Sequence, residues 1–404
     1  MLQKINGGVC AANGFTANGV LCGIKKGRTK RDLAVIFSDV PAAAAAVYTK
    51  NLVKGAPLTV TKNNIADGVA QAVICNSGNA NTCNANGIEI AEQMCELLAK
   101  EANISAKDVI VASTGVIGQP LVITPIENKI GDLVAGLGDH SDLACEAIMT
   151  TDTRPKEIAF EFYVGDTKCK IGGIAKGSGM IHPNMATMLV FITTDCAISA
   201  DMLQKALKTD VETSFNMVSV DGDTSTNDMV SVLANGKAGN AMINSEGADF
   251  DAFCEALHAV TSYLCRMIAG DGEGATKLLE CSVSGAIDDI NARIIAKSVI
   301  CSSLFKAAMF GADANWGRIL CAIGYSGAEV DVNAVDVSFK SAKGSIDVCK
   351  NGAGIPFSEE IAKEILLENE IEIIIKVGNG NGSAVAWGCD LTYDYVKING
   401  DYRT

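Results

Sequence analysis

The stretch Lys176-Gly-Ser-Gly-Met-Ile-His-Pro-Asn-Met-Ala-Thr187 runs directly into the apolar segment Met188-Leu-Val-Phe-Ile-Thr-Thr194. Its glycines and proline disfavour regular structure, whereas the segment after it is rich in the β-branched and aromatic residues typical of strands. We therefore predict a loop that enters a buried strand at Thr187. A threonine there could present its hydroxyl at the mouth of a site, although a threonine that simply opens a strand is also common.

The position of Thr187 also permits chemistry on its own backbone. Its hydroxyl can attack the carbonyl carbon of Ala186, and a break in that peptide bond would give Thr187 a free α-amine. An α-amine has a pKa of about 7.7 to 8, well below that of lysine, so it can accept a proton near neutral pH. Nucleophile and base would then belong to one residue.

Length, composition and charge limit the class of protein. A chain of 404 residues is long enough for one large domain and a smaller one. Hydrophobic residues make up 48% and charged residues 20%, and the net charge is −14 without a Lys/Arg-rich run. That balance predicts a soluble globular protein that does not bind nucleic acid. No signal-like start and no apolar run near the roughly 20 residues of a membrane span occur, so we expect a cytoplasmic protein with no membrane contact.

The cysteine pattern argues against a metal or disulfide framework. Fifteen cysteines are present, but no two lie within seven residues of each other, so none forms a Cys-x-x-Cys pair. The three histidines, at positions 140, 182 and 258, lie far from any group of cysteines. We therefore predict reduced thiols packed as small hydrophobes, with no metal site and no cofactor.

Strand-like and helical patterns alternate loosely along the chain. Strands are predicted at residues 33–38, 69–74, 108–113, 158–164, 188–194, 229–233, 371–377 and 384–396, and a separate element begins at Pro41 with its five alanines. Helices are predicted at residues 88–102, 124–137 with a capping box at Thr124, 200–215 after a Ser199 cap, 249–269, 287–303 and from the Ser358 cap to about 368. The order favours a layered α/β protein with mixed sheets.

Polar segments rich in turn-forming residues follow several of these elements. Thr114 and Gly115 end the strand at 108–113, where small residues allow a backbone N–H to approach a ligand as an oxyanion hole requires, or form a tight turn. The other segments hold similar sets of small and polar residues. The four segments are Asn76-Ser-Gly-Asn-Ala-Asn-Thr82, Ser113-Thr-Gly-Val-Ile-Gly118, Asp221-Gly-Asp-Thr-Ser-Thr-Asn-Asp228 and Ile398-Asn-Gly-Asp-Tyr-Arg-Thr404.

Together with residues 176–187, these segments resemble, in the same order, the motifs of the ornithine acetyltransferases, which also act as glutamate N-acetyltransferases in arginine biosynthesis. The resemblance covers essentially the whole chain. It implies a layered α-β-β-α sandwich related to the DmpA-type aminopeptidases, with a smaller C-terminal α/β domain. It also implies self-cleavage between Ala186 and Thr187 into chains 1–186 and 187–404, which remain together, commonly as an α2β2 assembly.

The resemblance further implies ping-pong acetyl transfer, in which Thr187 takes the acetyl group from N2-acetylornithine and passes it to glutamate. Thr114 and Gly115 would stabilise the oxyanion. Lys176 would hold a substrate carboxylate and Glu273 would meet the ornithine ammonium, although a solvated surface charge is the other interpretation for both. The implied substrate-binding residues are Thr153, Lys176, Thr187, Glu273, Asn399 and Thr404, with Thr150 and Thr151 as competitors of Thr153.

Other interpretations remain open at this point. His182, next to Pro183, is expected to shape the loop rather than act as a base. A self-processed aminopeptidase or amidohydrolase would use water in place of glutamate, and a non-catalytic amino-acid-binding protein would keep the fold without cleavage. The sequence does not decide whether acetyl-CoA is a second acetyl donor, because no segment is a signature for it.

Overall fold

The structure is a computed structural model that describes residues 2–24, 27, 29–182 and 188–401. The predicted cleavage residues Ala186 and Thr187, and the predicted substrate residue Thr404, lie outside the described residues. The strands are β1 (Gln3–Ile5), β2 (Phe15–Val20), β3 (Leu33–Tyr48), β4 (Val69–Asn76), β5 (Val109–Ser113), β6 (Lys156–Val164), β7 (Thr167–Lys176), β8 (Leu189–Thr194), β9 (Val218–Ser219), β10 (Met229–Ala234), β11 (Leu278–Ala286), β12 (Asp336–Ser341), β13 (Gly344–Lys350), β14 (Ala353–Gly354), β15 (Glu370–Lys376) and β16 (Gly382–Cys389).

The helices lie mainly between and after these strands. They are α1 (Ala56–Asn64), α2 (Gly87–Ala102), α3 (Thr124–Glu127), α4 (Ile130–Ala135), α5 (Ser141–Ile148), α6 (Ala200–Asp210), α7 (Ala248–Ala269), α8 (Asp289–Cys301), α9 (Ser303–Phe310), α10 (Trp316–Gly324), α11 (Glu359–Leu366) and α12 (Tyr393–Asp401). Within the described part of the chain, no helix combines the length and the hydropathy that a bilayer crossing requires.

The larger sheet has the strand order β1-β6-β7-β8-β10-β3-β4-β5, and β2 also pairs with β3. Its longest strand, β3, includes Pro41 and the alanine run, so the expectation of a separate element there is wrong. The pairing of β3 with β4 shifts register between Phe37 and Ala42. Proline cannot donate a ladder hydrogen bond, so a local irregularity is expected around it. Beyond this point β3 pairs with β10, and it therefore joins two parts of the sheet.

Alternate residues of these strands face different cores, because successive side chains of a strand point to opposite faces. Val190 of β8 packs into the core formed with α6 and α7, whereas the next residue, Phe191, packs into an inner core with Val73 of β4. Ile74, the neighbour of Val73, faces a third core with Met94 of α2. Two layers of strands therefore pack on each other across the inner core, and each is covered by helices on its other face. The predicted α-β-β-α arrangement is confirmed.

The smaller sheet is built from the C-terminal half, in the order β14-β13-β12-β15-β11-β16-β9. Helix α8 packs on β11 and β16, and α11 packs on β12. The residues of this sheet share one continuous core with α7 of the larger layer system. The predicted smaller C-terminal α/β unit is present, and α7 links it to the sandwich.

Several predicted elements differ from the observed ones. The capping box at Thr124 is wrong, since Thr124 is the first residue of α3, and a second short helix, α4, replaces the rest of the predicted helix. The predicted helix at 287–303 divides at Ser302, whose hydroxyl accepts a hydrogen bond from the Phe305 amide and starts α9. The Ser199 and Ser358 caps are confirmed. The predicted strand at 384–396 ends at Cys389, and the residues after it form α12.

Candidate active site

The ends of three neighbouring strands of the larger sheet define the location of the site. Lys176, the last residue of β7, pairs with Leu189, the first residue of β8. Met229, the first residue of β10, pairs with Leu189 from the other side. The Met229 amide also donates to the carbonyl oxygen of Met188 at 2.9 Å. Met188, the residue that follows the undescribed segment 183–187, is therefore fixed against the sheet.

A cavity of about 290 Å³ opens beside these strand ends. It is lined by Ala80, Thr114, Gly115, Ile117, Thr150, Thr151, Lys176, Gly179, Met180, Ser225, Thr226, Asn227, Glu273 and Asn399. A side chamber of about 20 Å³ shares Thr114 and Lys176 with it, and Met188 and Asp228 also line this chamber. Met188 is bonded directly to Thr187, so the chamber lies next to the residue that follows the undescribed segment.

Thr114 and Gly115 follow β5 in a conformation that depends on glycine. The Thr114 amide donates to the carbonyl oxygen of Asn76 at 2.9 Å, which fixes the turn against the end of β4. Gly115 has a φ of +125°, and a β-carbon there would lie 3.0 Å from the Asn79 nitrogen and from the Gly78 carbonyl carbon. Backbone atoms of this kind cannot move aside cheaply. This backbone conformation and the close packing against residues 78 and 79 therefore require glycine at position 115.

Asn227 joins the loops that form one wall of the cavity. Its side-chain nitrogen donates to the carbonyl oxygens of Ala80 at 2.6 Å and Ser113 at 2.9 Å. Its side-chain oxygen accepts from the hydroxyls of Thr82 and Thr226, both at 2.6 Å. With 5% of its surface exposed, Asn227 uses its amide to hold three polar segments together. The composition of residues 221–228 indicated a polar loop but not this role.

Glu273 is the acidic residue that lines the cavity. The side-chain nitrogen of Asn399, on α12, donates to Glu273 Oε2 at 2.8 Å. The Glu273 amide donates to the carbonyl oxygen of Ser178 at 2.9 Å, and a β-carbon on Gly179 would lie 2.3 Å from Glu273 Oε2. Glu273 therefore packs against the backbone of the loop that leaves Lys176. Both charged side chains are largely buried, and Lys176 Nζ lies 3.4 Å from Thr114 Oγ1.

A buried ion triad lies behind this loop. Lys156 is fully buried and its Nζ contacts Asp152 Oδ1 at 2.6 Å and a carboxylate oxygen of Asp271. Asp152 Oδ1 also accepts from the Gly177 amide at 2.7 Å. Burial alone would raise the pKa of Asp152, but the charges of Lys156 and Lys176 outweigh it and hold this pKa well below its usual range. Asp152 therefore remains a carboxylate, and its hydrogen bond with Gly177 fixes the backbone next to Lys176.

The three neighbouring threonines occupy different places. Thr150 and Thr151 line the cavity with Lys176. Thr153 does not; its hydroxyl and amide both donate to Asp271, and it lines a separate cavity of about 610 Å³. The structure therefore brings Thr150 and Thr151, rather than Thr153, to the cavity that Thr114 and Gly115 also line.

His182 lies at the edge of the described residues and outside the lining of the main cavity. Its Nδ1 is 3.1 Å from Ser219 Oγ and 3.5 Å from Cys301 Sγ. Burial, assisted by the nearby charge of Lys297, lowers the pKa of His182 to about 4. The ring is therefore neutral at physiological pH. Its carbonyl oxygen accepts from Thr224 Oγ1 at 2.8 Å, which ties the loop to residues 221–228.

Five of the predicted site residues meet in one cavity although they come from distant parts of the chain. They are Thr114, Gly115, Lys176, Glu273 and Asn399. An alcohol, backbone amides, one cation and one anion together suit the binding of a small zwitterion and the stabilisation of an anionic intermediate.

A family model described as the ArgJ family matches residues 16–404 of this chain. The chain is 52% identical over 392 residues to the arginine biosynthesis bifunctional protein ArgJ 1 of Clostridium acetobutylicum, with 96% of each chain covered. It is 48% identical over 408 residues to the arginine biosynthesis bifunctional protein ArgJ of Bacillus subtilis, with 100% of this chain and 98% of the relative covered.

A solved structure extends the similarity to three dimensions. The crystal structure of the arginine biosynthesis bifunctional protein argJ from Bacillus halodurans matches with a TM-score of 0.50 and 47% identity. The match covers 52% of this chain and 98% of that chain.

Proposed function

This chain belongs to the ArgJ family and is an acyltransferase of arginine biosynthesis, and on that premise we propose that it is a glutamate N-acetyltransferase with N2-acetylornithine as its donor. The observation that carries the proposal is the cavity in which Lys176 and Glu273 present opposite charges beside Thr114 and Gly115. Both substrates carry an α-carboxylate for Lys176, and the ornithine part carries an ammonium for Glu273. Asn399, bonded to Glu273, would orient that carboxylate.

We propose that Thr187 is the nucleophile and that the chain cleaves itself between Ala186 and Thr187, into units 1–186 and 187–404. Two observations support this step. Met188, bonded to Thr187, lines the side chamber together with Thr114 and Lys176. In addition, the match to the solved relative uses 98% of that relative's chain but only 52% of this one. The solved chain is therefore about half as long as this chain, as expected for one of two cleaved units.

The proposed reaction has two halves. Thr187 Oγ attacks the acetyl carbonyl of N2-acetylornithine while the Thr187 α-amine takes the hydroxyl proton. The oxyanion is held by donors of Thr114 and Gly115, the proton passes to the leaving nitrogen, and ornithine departs. Glutamate then attacks the acetyl ester through its amine, and the same groups act in reverse to release N-acetylglutamate.

The size of the cavity suits this sequence of events. About 290 Å³ is near the lower end of the range of about 300–1,000 Å³ found for small-molecule sites. Such a site would hold one amino-acid-sized molecule at a time, as ping-pong transfer requires. We propose that Thr150 or Thr151 contacts the substrate in preference to Thr153, and that Thr404 binds it as well.

The remaining parts of the proposal concern the whole molecule. We propose that the two units stay associated, as an α2β2 assembly in the cytoplasm. Use of acetyl-CoA as a second donor would add synthesis of N-acetylglutamate without acetylornithine, and an assay with acetyl-CoA and glutamate alone measures it directly.

The test begins with the purified full-length chain on a denaturing gel. We expect two pieces and an N-terminal sequence of Thr-Met-Leu-Val for the second one. Thr187→Ala should give one folded, inactive piece, whereas Thr187→Ser should still cleave, more slowly. Thr209→Ala, an exposed threonine on α6, is the matched control and should behave like the wild type.

Activity is then measured with N2-acetylornithine in the presence and absence of glutamate. Ornithine release that depends on glutamate supports transfer. Fast release without glutamate would instead establish an amidohydrolase, and normal turnover by Thr187→Ala would overturn the assignment of the nucleophile.

A further inference from the structure

Self-cleavage poses a chemical problem that the proposed transfer reaction does not. In transfer, the α-amine of Thr187 serves as the base, but before cleavage that nitrogen is part of a peptide bond and cannot accept a proton. The uncut chain therefore needs another group to take the Thr187 hydroxyl proton. Resting on the proposed function, we propose that the carboxylate of Asp228 is this proton acceptor, and that its role belongs to the processing step.

The backbone of Asp228 is held near Met188, the residue that follows the proposed cut. Asp228 directly precedes Met229, whose amide donates to the carbonyl oxygen of Met188 at 2.9 Å. On its other side Asn227 is fixed to Ser113, the residue before Thr114. The Asp228 carbonyl oxygen also accepts from the Thr49 amide at 3.0 Å. These bonds fix the backbone of Asp228 on both sides.

The carboxyl group of Asp228 has the features of a functional group rather than of a structural one. Asp228 is 3% exposed, and its Oδ2 has no hydrogen-bond partner among the described residues. Buried polar atoms are nearly always paired when their role is to support the fold. Asp228 also lines the chamber of about 20 Å³ that Met188, Thr114 and Lys176 share. That space is of the order of one water molecule or one hydroxyl group.

The environment of Asp228 also suits proton transfer. Burial raises its pKa well above the usual value, and a hydrogen bond from Ser225 and the charge of Lys176 oppose this shift only in part. A carboxylate with a raised pKa is a stronger base than an ordinary one, and proton acceptors work best when their pKa lies near the operating pH. The positive charge of Lys176 favours the carboxylate form, which is the form that accepts a proton.

The proposed step is balanced in atoms and electrons. Asp228 Oδ2 takes the hydroxyl proton of Thr187, and the oxygen lone pair forms a bond to the carbonyl carbon of Ala186. As the carbon–nitrogen bond breaks, Asp228 returns the proton to the departing nitrogen, which leaves an ester and a free α-amine. Water then hydrolyses the ester to release the Ala186 carboxylate and restore the Thr187 hydroxyl. Asp228 is unchanged at the end.

The experiment follows cleavage of the full chain over time after cell-free synthesis, with denaturing gels and intact mass as readouts. Asp228→Asn keeps the shape of the side chain without its basicity, and Asp228→Ala leaves room for a small carboxylate. Asp223→Asn is the control, because Asp223 lies in the same loop and is exposed. Positioned bases contribute about 100- to 10,000-fold, so both Asp228 variants should cleave at least about 100-fold more slowly than the wild type and the control.

Chemical rescue separates a base from a residue that merely supports the fold. Sodium formate should accelerate cleavage of Asp228→Ala in proportion to its concentration, whereas sodium chloride at equal ionic strength should not. Circular dichroism of both variants checks that the uncut chain is folded. Cleavage of Asp228→Asn at the wild-type rate, or a folded Asp228→Ala chain that formate does not cleave, overturns the role of Asp228 while leaving the proposed activity intact. A wild-type chain that stays in one piece overturns the proposed cleavage itself, and this role with it.

Discussion

Replacement of Gly115 by alanine should damage both stability and turnover, and Gly118 provides a control in the same loop. Gly115 has a φ of +125° and Gly118 a φ of +77°, so alanine is strained at both positions. Only at Gly115 would the new β-carbon meet backbone atoms, at 3.0 Å from Asn79 N and Gly78 C; at Gly118 no atom lies within 4 Å. The pair therefore separates backbone strain from steric contact.

The magnitudes follow from these two terms. A residue forced into a sparsely populated backbone conformation costs about 1–3 kcal/mol, and overpacking against atoms that cannot move adds about 1–3 kcal/mol. Gly115→Ala should thus lose about 2–6 kcal/mol of unfolding free energy and Gly118→Ala only the first term. Because relief of the contact would turn the Gly115 amide away from the cavity, kcat should also fall by about 100- to 1,000-fold in Gly115→Ala.

The assay combines urea denaturation with steady-state acetyl transfer from N2-acetylornithine to glutamate, normalised to the cleaved fraction. Gly118→Ala should keep kcat within a few-fold of the wild type. Equal losses of stability in the two variants would show that the contact with Gly78 and Asn79 is unimportant. A normal kcat in a destabilised Gly115→Ala would refute the assignment of this amide to the oxyanion site.

Three further predictions concern other parts of the site and fold. Thr114→Ala should lower kcat on the order of 100- to 1,000-fold with little change in KM, because the donor acts mainly in the transition state; a raised KM at unchanged kcat would make Thr114 a binding residue. Lys156→Met should lower the free energy of unfolding, measured by urea denaturation, by about 3–5 kcal/mol, because Asp271 loses its buried cation. Adding Asp271→Asn to this variant should restore part of the lost stability. The hydrogen bond to Asp210 raises the pKa of His258. The pair therefore stabilises the folded state fully below the unfolded pKa of about 6.5, and this stabilisation is lost as the pH rises through the folded pKa. His258→Gln should accordingly lower the urea midpoint of unfolding at about pH 6 and not at about pH 9.

Local sequence patterns predicted those strands and helices in which the pattern of apolar residues matches the burial of the element in the fold. The buried strands that became β4, β5, β8, β10 and β15 have apolar, β-branched sequences, and α2 and α7 have regular apolar faces. The alanine run after Pro41 shows the limit of this approach. Its composition does not favour a strand, yet the residues lie between two cores of closely spaced layers, where small side chains fit. Tertiary packing decided the outcome there.

The lining of the cavity was predictable where a residue's proposed role depends on its own chemistry and not where it depends on distant partners. Thr114 and Gly115 carried a local signal of small residues at a strand end. Asn227 did not, because its four hydrogen bonds reach segments that are more than 100 residues away in the chain, apart from the neighbouring Thr226. Lys156 likewise appeared as an ordinary charge in a strand, although it is fully buried between two carboxylates.

The same long-range contacts explain how a chain cut between residues 186 and 187 would keep its activity. Strand β7, before the proposed cut, pairs with β8 after it, and β3 pairs with β10, so units 1–186 and 187–404 interleave within one sheet. Lys156 and Asp271 add a buried ion pair across the same division. Separation of the units would expose these strand edges and leave the ion pair unsatisfied, and the loss of one partner of a buried ion pair alone costs about 3–5 kcal/mol. The cavity also draws Lys176 from one proposed unit and Glu273 from the other, so the proposed catalysis would require that the units remain together.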